Sequence, residues 1–398
     1  MDKHYDIYSG AKRLKKVEPS PIRIILDRAA EMKNQGLPVI PFSAGEPDFN
    51  TPTDIKASTI DAINANYSHY TSNRGLPALR KLLADYIKAE TGTTYDYASE
   101  ILVTSSAAEA LNNTIMTLVD EGDEVIILTP AFISYKCLVN LCGGVVVDIP
   151  LRAERNFQID IEAVRANISD KTKMLILNNP NNPTGSVFNH EALAELCKLA
   201  VDRNFLILAD EIYSRLTYDG AQFHSISSYP GMKEKALTIS GFSKTFAMTG
   251  WRLGYVATDA RLATLILKTH QYSTTCSPTF IQVGLTNAMT TDHTRREVED
   301  MVAAFGRRRA MILSGLDKIK KLSYIKPYGA FYVMVDVSKT GMTGAEFAKK
   351  LLEEKYVATV PAIGLGSTCG DYIRISYATS DENIVEGLKR IKELVDSL

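Results

Sequence analysis

The sequence predicts an α/β fold, in which helices flank a mostly parallel central sheet, together with a smaller α+β domain. Short apolar runs alternate with helical patterns between residues 100 and 259, as in domains built around a parallel sheet. Helical patterns dominate after residue 259. The length of 398 residues exceeds that of a typical single core and therefore indicates two domains.

The chain before residue 100 is predicted to be mainly helical. Residues 1–20 are rich in charge and end among prolines, so we expect an exposed arm. The apolar run 37–42 predicts a short strand, and the turn after it contains Gly45. Helices are predicted over 22–36, 53–66 and 76–90.

The central region carries the regular alternation of strands and helices. Strands are predicted over 101–104, 125–128, 145–149, 174–177, 206–209 and 236–239. Helices are predicted over 107–119, 134–141, 161–167 and 190–202. Because ligands of such sheets bind beyond the carboxyl ends of the strands, residues that follow the strands are candidates for a functional site.

The last third of the chain mixes helices with a few strands. Helices are predicted over 261–272, 279–289, 295–320, 345–355 and 381–397. Strands are predicted over 330–335, 357–360 and 372–376. We therefore expect a large domain over 46–289 and a small, discontinuous domain formed by 1–45 and 290–398.

Composition and charge limit the classes of partner. The formal net charge is −1, without a basic or acidic block, which gives no reason to expect nucleic acid or an anionic membrane as partner. No apolar run is long enough to cross a bilayer, and the N-terminus lacks the apolar core of a secretory signal. The five scattered cysteines indicate free thiols and no zinc site. We expect a soluble, cytoplasmic protein.

A single lysine, Lys244, lies in a hydroxyl-rich loop directly after the last apolar strand, with Arg252 close behind it. Burial at a strand end lowers the pKa of a lysine, and a neutral lysine can attack a carbonyl group to form a Schiff base. The alternative is an ordinary surface lysine, and these residues alone do not decide between the two.

Four further strands are followed by candidate residues, each with an ordinary structural alternative. The helix start at Ser106 could bind an anion or be a simple serine cap. Phe132 could cover a planar ring or belong to the core, and Asn182 could serve only its proline-rich turn. Asp210, with Tyr213 nearby, needs a cation or solvent because burial of a bare charge is costly, unless it caps a helix.

Arg374 lies inside an apolar strand and needs either a substrate carboxylate or a structural salt bridge. Together the candidates comprise an anion cradle, an aromatic face, a carboxylate, a phenol, a lysine and two arginines. A flat, phosphorylated, cationic heterocycle that bears an aldehyde would use most of them. Pyridoxal phosphate is such a ligand.

The motifs resemble those of the class I/II aminotransferases, pyridoxal-phosphate enzymes of fold type I in the aspartate aminotransferase superfamily. The matching segments occur in the family's order and span nearly the whole chain. They are AGEPDF (44–49), HYTSNRGLPALR (69–80), NNPNNPTG (178–185), DEIY (210–213), SKTFAMTGWRLGY (243–255), GAFY (329–332) and YIRISYA (372–378). Each is weak alone, and together they are specific.

The resemblance implies a role for each candidate. Lys244 would be the Schiff-base lysine and would move the proton at the substrate Cα. Asp210 would pair with the pyridine nitrogen, Tyr213 and Asn182 would bind the ring's phenolic oxygen, and Phe132 would stack on the ring. The phosphate would be held by Ser106, Ala107, Ala108, Ser243, Arg252 and, from the other subunit of a homodimer, Tyr70. The substrate carboxylate would be held by Arg374, Asn182 and the backbone of Gly45.

The implied reaction moves the amino group of an L-amino acid to a 2-oxo acid in a ping-pong cycle, and the side chain of the amino acid stays open. Relatives often have glycine at Ser106 or Ala107, some have serine at Gly241, and certain aspartate-specific relatives have lysine at Ala108. A pyridoxal-phosphate-dependent C–S β-lyase, or a related enzyme acting on amino acids, is the main alternative. A non-catalytic relative is a further one, against which the intact Lys244 argues.

Overall fold

The computed structural model describes residues 10–17 and 21–398. Residues 1–9 and 18–20 of the expected N-terminal arm lie outside the described residues, and residues 12–16 form an exposed 3₁₀ turn. Within the described ranges, every helix is too short or too polar to span a lipid bilayer. All five cysteines have free thiols.

The described residues form twelve α-helices and eleven β-strands. The helices are α1 (Pro21–Asn34), α2 (Thr53–Asn64), α3 (Pro77–Thr91), α4 (Ala107–Leu118), α5 (Ser134–Leu141), α6 (Ile161–Ala166), α7 (His190–Asp202), α8 (Ala260–Ser273), α9 (Thr279–Ala288), α10 (Asp292–Leu316), α11 (Gly344–Lys355) and α12 (Asp381–Ser397). The strands are β1 (Ile101–Thr104), β2 (Glu124–Thr129), β3 (Val145–Pro150), β4 (Thr172–Asn178), β5 (Leu206–Asp210), β6 (Ala236–Gly241), β7 (Gly254–Ala257), β8 (Ser323–Tyr324), β9 (Tyr332–Asp336), β10 (Val360–Pro361) and β11 (Tyr372–Ser376).

The larger sheet has seven strands in the order β1-β7-β6-β5-β4-β2-β3. The pairs from β3 through β2, β4 and β5 to β6 are parallel, whereas β7 is antiparallel to both of its neighbours. Asn178 pairs with Asp210, and Asp210 with Ile239, so the carboxyl ends of β4, β5 and β6 meet at one edge. This architecture confirms the predicted α/β fold.

The smaller sheet has four antiparallel strands in the order β10-β11-β9-β8. Apolar side chains of β9 and β11, such as Val333 and Ile373, share a core with Phe305 of α10, Phe347 of α11 and Ile391 of α12. Every second residue of a strand faces the same side, which brings Arg374 of β11 to the face opposite Ile373. That orientation directs a charged residue out of the core.

Two expectations about the strands were wrong in detail, and two strands were not predicted. The run 37–42 forms only one bridge, from Ile40 to Val357, because Pro38 and Pro41 have no backbone N–H to donate. Of the strand predicted over 357–360, only Val360 belongs to a strand, β10. The sequence patterns did not indicate β7 or β8, which are short and gain their order from the neighbouring strands they pair with.

Close packing of α9 on α2 gives a stability prediction. We expect Gly284→Ala to lower the free energy of unfolding by about 1–3 kcal/mol, because the new methyl group would lie 2.9 Å from the Cα of Thr59. The control is Gly306→Ala in α10, where the nearest atom, on Tyr218, would be 3.6 Å away. Urea unfolding should show no loss for this control, since alanine is the better helix former. Equal losses in both variants would contradict the close packing.

Candidate active site

A cleft of about 550 Å³ opens at the carboxyl ends of β4, β5 and β6, beside the start of α4. Residues of both sheets and of the turn after residue 42 line it. It brings together the predicted residues Gly45, Ser106, Ala107, Ala108, Phe132, Asn182, Asp210, Tyr213, Ser243, Lys244, Arg252 and Arg374. Their proximity is observed, whereas their individual roles stay predictions.

Lys244 lies three residues after the end of β6 and is half-buried. Its Nζ donates a hydrogen bond to the carbonyl oxygen of Gly45 at 2.5 Å and lies 5.9 Å from the centroid of the Tyr213 ring. Burial lowers the pKa of Lys244 to about 8, although the nearby Glu46 carboxylate opposes this shift. An appreciable fraction of the amine is therefore neutral near neutral pH and can act as a nucleophile or a base.

Asp210 is the last residue of β5 and is buried in the wall of the cleft. Its carboxylate accepts hydrogen bonds from the Tyr135 hydroxyl at 2.6 Å and from the backbone N–H of Ile212 at 3.2 Å. Burial raises the pKa of Asp210, while these two hydrogen bonds and the charge of Lys244 oppose the shift. The carboxylate thus lacks a direct cationic partner among the described residues.

The next residue, Glu211, has a separate structural environment. Its carboxylate accepts hydrogen bonds from the Ser225 hydroxyl at 2.9 Å and from the backbone N–H of Ile226 at 3.0 Å. Burial raises the pKa of Glu211 to about 8. Because Glu211 is absent from the lining of the cleft, Asp210 is the carboxylate of this pair that a ligand can meet.

Arg374 of β11 is buried and reaches the cleft from the smaller sheet. Its guanidinium donates to Oδ1 of Asn182 at 3.0 Å and to the carbonyl oxygen of Ser43 at 3.3 Å, and it stacks 4.4 Å from the centroid of the Tyr332 ring. These acceptors are neutral, and no carboxylate among the described residues pairs with this guanidinium, which leaves the alternative of a structural salt bridge without support. Its Nε has no hydrogen-bond partner among the described residues, which leaves a donor for a carboxylate.

The opposite end of the cleft has the properties of an anion cradle. Ser106 is the N-cap of α4, and the first N–H groups of a helix have no acceptor within it. Ser243 and Arg252 line the same cleft. Gly254 of β7 lies so close to the backbone of Ser106 and Ala107 that a Cβ atom there would overlap with it. Glycine is therefore required where β7 supports the helix start.

Two aromatic residues predicted for the site differ in position. Phe132 lines the cleft and packs edge to face on Tyr135, with ring centroids 5.7 Å apart. Tyr70 is 86% exposed and instead lines a separate cavity of about 470 Å³ with Ser105 and Ser277. Within one chain Tyr70 does not join the cleft, and its role in a partner's site stays a prediction.

Sequence reasoning did not assign roles to several residues that shape the cleft. Tyr135 holds Asp210, and Tyr332 pairs with the Tyr213 hydroxyl at 3.0 Å. Asn178 accepts a hydrogen bond from the backbone N–H of Asn182 at 2.7 Å. Tyr135 and Tyr332 end the aromatic segments LTPAFISY and GAFY, which could have indicated them. Their partners, Asp210 and Tyr213, lie far away in the chain.

Comparison with known proteins identifies the family of this chain. A family model for class I and II aminotransferases matches residues 38–391. The chain belongs to this family. The aspartate aminotransferase of Pyrococcus abyssi is 39% identical, with 96% of this chain and 97% of that protein covered. The aromatic-amino-acid aminotransferase 2 of Thermococcus litoralis is 35% identical, with coverage of 96% and 97%.

A solved structure of similar shape is the aspartate aminotransferase from Thermus thermophilus with maleate. It has a TM-score of 0.93 and 36% sequence identity, and the alignment covers 97% of this chain and 99% of that one. The protein is therefore an aminotransferase of fold type I, as predicted, and the lyase alternative gains no support. Membership of the family implies pyridoxal phosphate as the cofactor.

The environment of Lys244 gives a prediction for the cofactor-free aminotransferase. Reductive methylation of Lys244, measured by peptide mass spectrometry against pH, is expected to be half-maximal near pH 8, because burial lowers its pKa to about 8. Exposed lysines have an ordinary pKa of about 10.4, and their methylation midpoint serves as the internal reference. Glu46→Gln should shift the Lys244 midpoint further down, since Glu46 opposes the lowering. A midpoint that coincides with the exposed lysines would contradict this environment.

Proposed function

We propose that the cleft binds pyridoxal 5′-phosphate with Lys244 as its Schiff-base lysine and transfers the amino group of an L-amino acid to a 2-oxo acid in a ping-pong cycle. The observation that carries this proposal is a lysine of lowered pKa beside a buried carboxylate, Asp210, in one cleft. When bound, the cofactor supplies an electron-withdrawing ring that stabilises charge at the substrate Cα.

The residues present fit this cofactor. Asp210 is buried and lacks a direct cationic partner, so a protonated ring nitrogen would supply the charge it needs. The start of α4, Ser243 and Arg252 offer hydrogen-bond donors and positive charge for a phosphate. Phe132 supplies an aromatic face in the same cleft.

Lys244 would act at the substrate Cα as the group that removes and returns a proton. A base works best when its pKa is close to the operating pH, and the pKa of Lys244 is about 8. The hydrogen bond to Gly45 fixes the position of Nζ in the cofactor-free cleft. The Tyr213 hydroxyl contacts Tyr332 in this structure. With the cofactor bound, it would donate a hydrogen bond to the phenolic oxygen of the cofactor ring, and Asn182 would bind the same oxygen.

Arg374 would bind the substrate α-carboxylate, with the backbone of Gly45 and the side chain of Asn182 beside it. The proposed carboxylate site contains residues of both sheets. We infer two domains, one formed by 46–289 and the other by 1–45 with 290–398, and we expect them to close on the substrate. Closure would exclude water and strengthen the electrostatic interactions inside the cleft.

We also propose a homodimer with shared sites. Tyr70 is exposed and lines a cavity separate from its own cleft, and a partner subunit would receive its hydroxyl at the phosphate. The five free thiols favour a reducing, cytoplasmic compartment.

The charges in the cleft favour substrates with an apolar side chain. Among the described residues, three cations line it, namely Lys244, Arg252 and Arg374, and the proposed chemistry uses all three. Ile22 and Leu26 of α1 line the cleft as apolar side chains. A second substrate carboxylate would therefore be desolvated without a cation to pair with it.

The first test of this function combines spectroscopy with Lys244→Ala. The wild type is expected to show a visible band of bound cofactor that bleaches when an amino acid is added without an oxo acid. Lys244→Ala should bind pyridoxamine phosphate and retain its circular dichroism spectrum, but it should not transfer amino groups. Lys81→Ala, on the exposed face of α3, is the matched control. Full activity of Lys244→Ala would refute the assignment.

Arg374→Ala is expected to weaken substrate binding by about 2–3 kcal/mol, the scale of a charge-assisted hydrogen bond, which corresponds to a rise of about 30- to 150-fold in KM. Arg374→Lys keeps the charge but loses the planar fork and should give an intermediate KM. The measurement is steady-state kinetics with one amino acid and one oxo acid. Unchanged KM in both variants would show that another residue binds the carboxylate.

A substrate panel tests the side-chain proposal. We expect kcat/KM for phenylalanine, leucine or methionine to exceed that for aspartate by about tenfold or more, the effect of about 1.4 kcal/mol. Leu26→Ala should reduce kcat/KM for phenylalanine more than for alanine, because it removes apolar contact area. A preference for aspartate would overturn the proposal and indicate a cation from another subunit.

A further inference from the structure

The backbone of the proposed phosphate cradle is strained at Ser106. This residue has φ 99° and ψ 161°, a region that is essentially restricted to glycine and persists in other residues only where the surroundings enforce it. Thr104 donates a hydrogen bond to the Ser106 carbonyl oxygen at 2.9 Å, and Ser106 Oγ accepts one from the backbone N–H of Glu109 at 3.3 Å. The cradle therefore depends on its neighbours for its shape.

Glu109, in the first turn of α4, accepts most of the hydrogen bonds around this part of the backbone. One oxygen of its carboxylate, Oε2, accepts a hydrogen bond from the backbone N–H of Ser105 at 2.5 Å. The other, Oε1, accepts from Asn113 at 2.6 Å and from Nδ1 of His270 at 2.8 Å. The hydroxyls of Ser273 and Thr274 also donate to Oε1, at 3.2 and 3.1 Å. Glu109 thus ties the residue before Ser106 to the end of α8.

His270 fixes this arrangement from the core. Its side chain is fully buried, and its Nε2 has no hydrogen-bond partner among the described residues. A proton on Nε2 would be a buried donor without an acceptor, which is costly. Of the two neutral tautomers, the one with N–H on Nδ1 leaves no unpaired donor and allows that N–H to donate a hydrogen bond to Glu109. Neither Glu109 nor His270 lines the cleft, so neither can contact the ligand itself.

We propose that Glu109, held by His270, is a positioning residue that keeps the backbone of residues 105–107 in the shape required by the cofactor phosphate. This inference rests on the proposed function. By accepting the Ser105 N–H, Glu109 holds that amide away from the cleft, so that the free amides at the start of α4 are directed to the phosphate. Glu109 acts through the backbone of Ser106, which it helps to hold in a conformation that glycine could adopt without such hydrogen bonds.

The test compares cofactors with and without a phosphate. Apoenzyme of the wild type and of Glu109→Gln is titrated with pyridoxal phosphate and with pyridoxal, and binding is followed by visible absorbance. Glu109→Gln should raise the Kd for pyridoxal phosphate by about tenfold or more, the scale of one charge-assisted hydrogen bond. The Kd for pyridoxal, which has no phosphate to place, should stay close to the wild-type value. Glu191→Gln, which removes a first-turn glutamate from α7, is the matched control.

A second variant separates positioning from general destabilisation. Ser106→Gly in the Glu109→Gln background allows the cradle to adopt its conformation without enforcement, so the affinity for pyridoxal phosphate should recover. A merely structural role of Glu109 would give no such recovery, because glycine does not restore the lost hydrogen bonds. If Glu109→Gln does not fold, Thr274→Val removes one donor to the same carboxylate and should show a smaller loss in the same direction.

The outcomes distinguish the two proposals. Equal losses for pyridoxal phosphate and pyridoxal, or no loss for either, would overturn the role of Glu109 while the wild type still binds the cofactor. If the wild-type apoenzyme does not bind pyridoxal phosphate, the proposed function fails first. Selective loss for the phosphorylated ligand with recovery in the double variant would establish the positioning role.

Discussion

Burial of a carboxylate at the end of β5 is the constraint on which the rest of the cleft depends. Asp210 lies inside a parallel sheet, where desolvation favours its neutral form. Tyr135 from α5 and the backbone N–H of Ile212 oppose this effect through hydrogen bonds, and Lys244 opposes it through charge. Tyr135 follows β2 and Lys244 follows β6, two other strands of the same sheet, so the electrostatics of the cleft depend on the strand order.

The smaller sheet contributes a buried cation, Arg374, to the cleft. Arg374 projects from β11 onto the Tyr332 ring of β9, and these strands are antiparallel neighbours. The aromatic ring accommodates a buried guanidinium without a carboxylate, so the cation stays available to a ligand. Asn182, which begins a turn after β4, reaches Arg374 from the larger sheet. The cleft is therefore defined by contacts that cross from one sheet to the other.

Close backbone approach shapes the opposite end of the site. Gly254 allows β7 to pack directly on the start of α4, and Ser106 adopts a backbone conformation typical of glycine. Strain of this kind needs support from packing and hydrogen bonds, which Thr104 and Glu109 provide. The unfavourable backbone conformation of Ser106 is thus supported by hydrogen bonds with Thr104 and Glu109.

Much of the fold could be predicted because strands that are buried on both faces appear as continuous apolar runs. The runs that became β4, β5 and β6 are of this kind, and Asp210 and Lys244 stand out where they end. The short strands β7 and β8 could not be predicted, since their order comes from pairing with distant neighbours. For the same reason Pro38 and Pro41 reduced an apparent strand to a single bridge at Ile40.

The amino-acid sequence alone determined the family, the α/β architecture and part of the cleft lining, such as Lys244, Asp210 and Arg374, because these depend on local patterns and on motifs in order. Only the tertiary structure decided which groups contact one another. Tyr135 on Asp210, Tyr332 under Arg374, and His270 on Glu109 join elements far apart in the chain. The location of Tyr70 outside its own cleft was likewise decided by the folded surface. Such contacts depend on strand order and helix packing, which no local run of residues specifies.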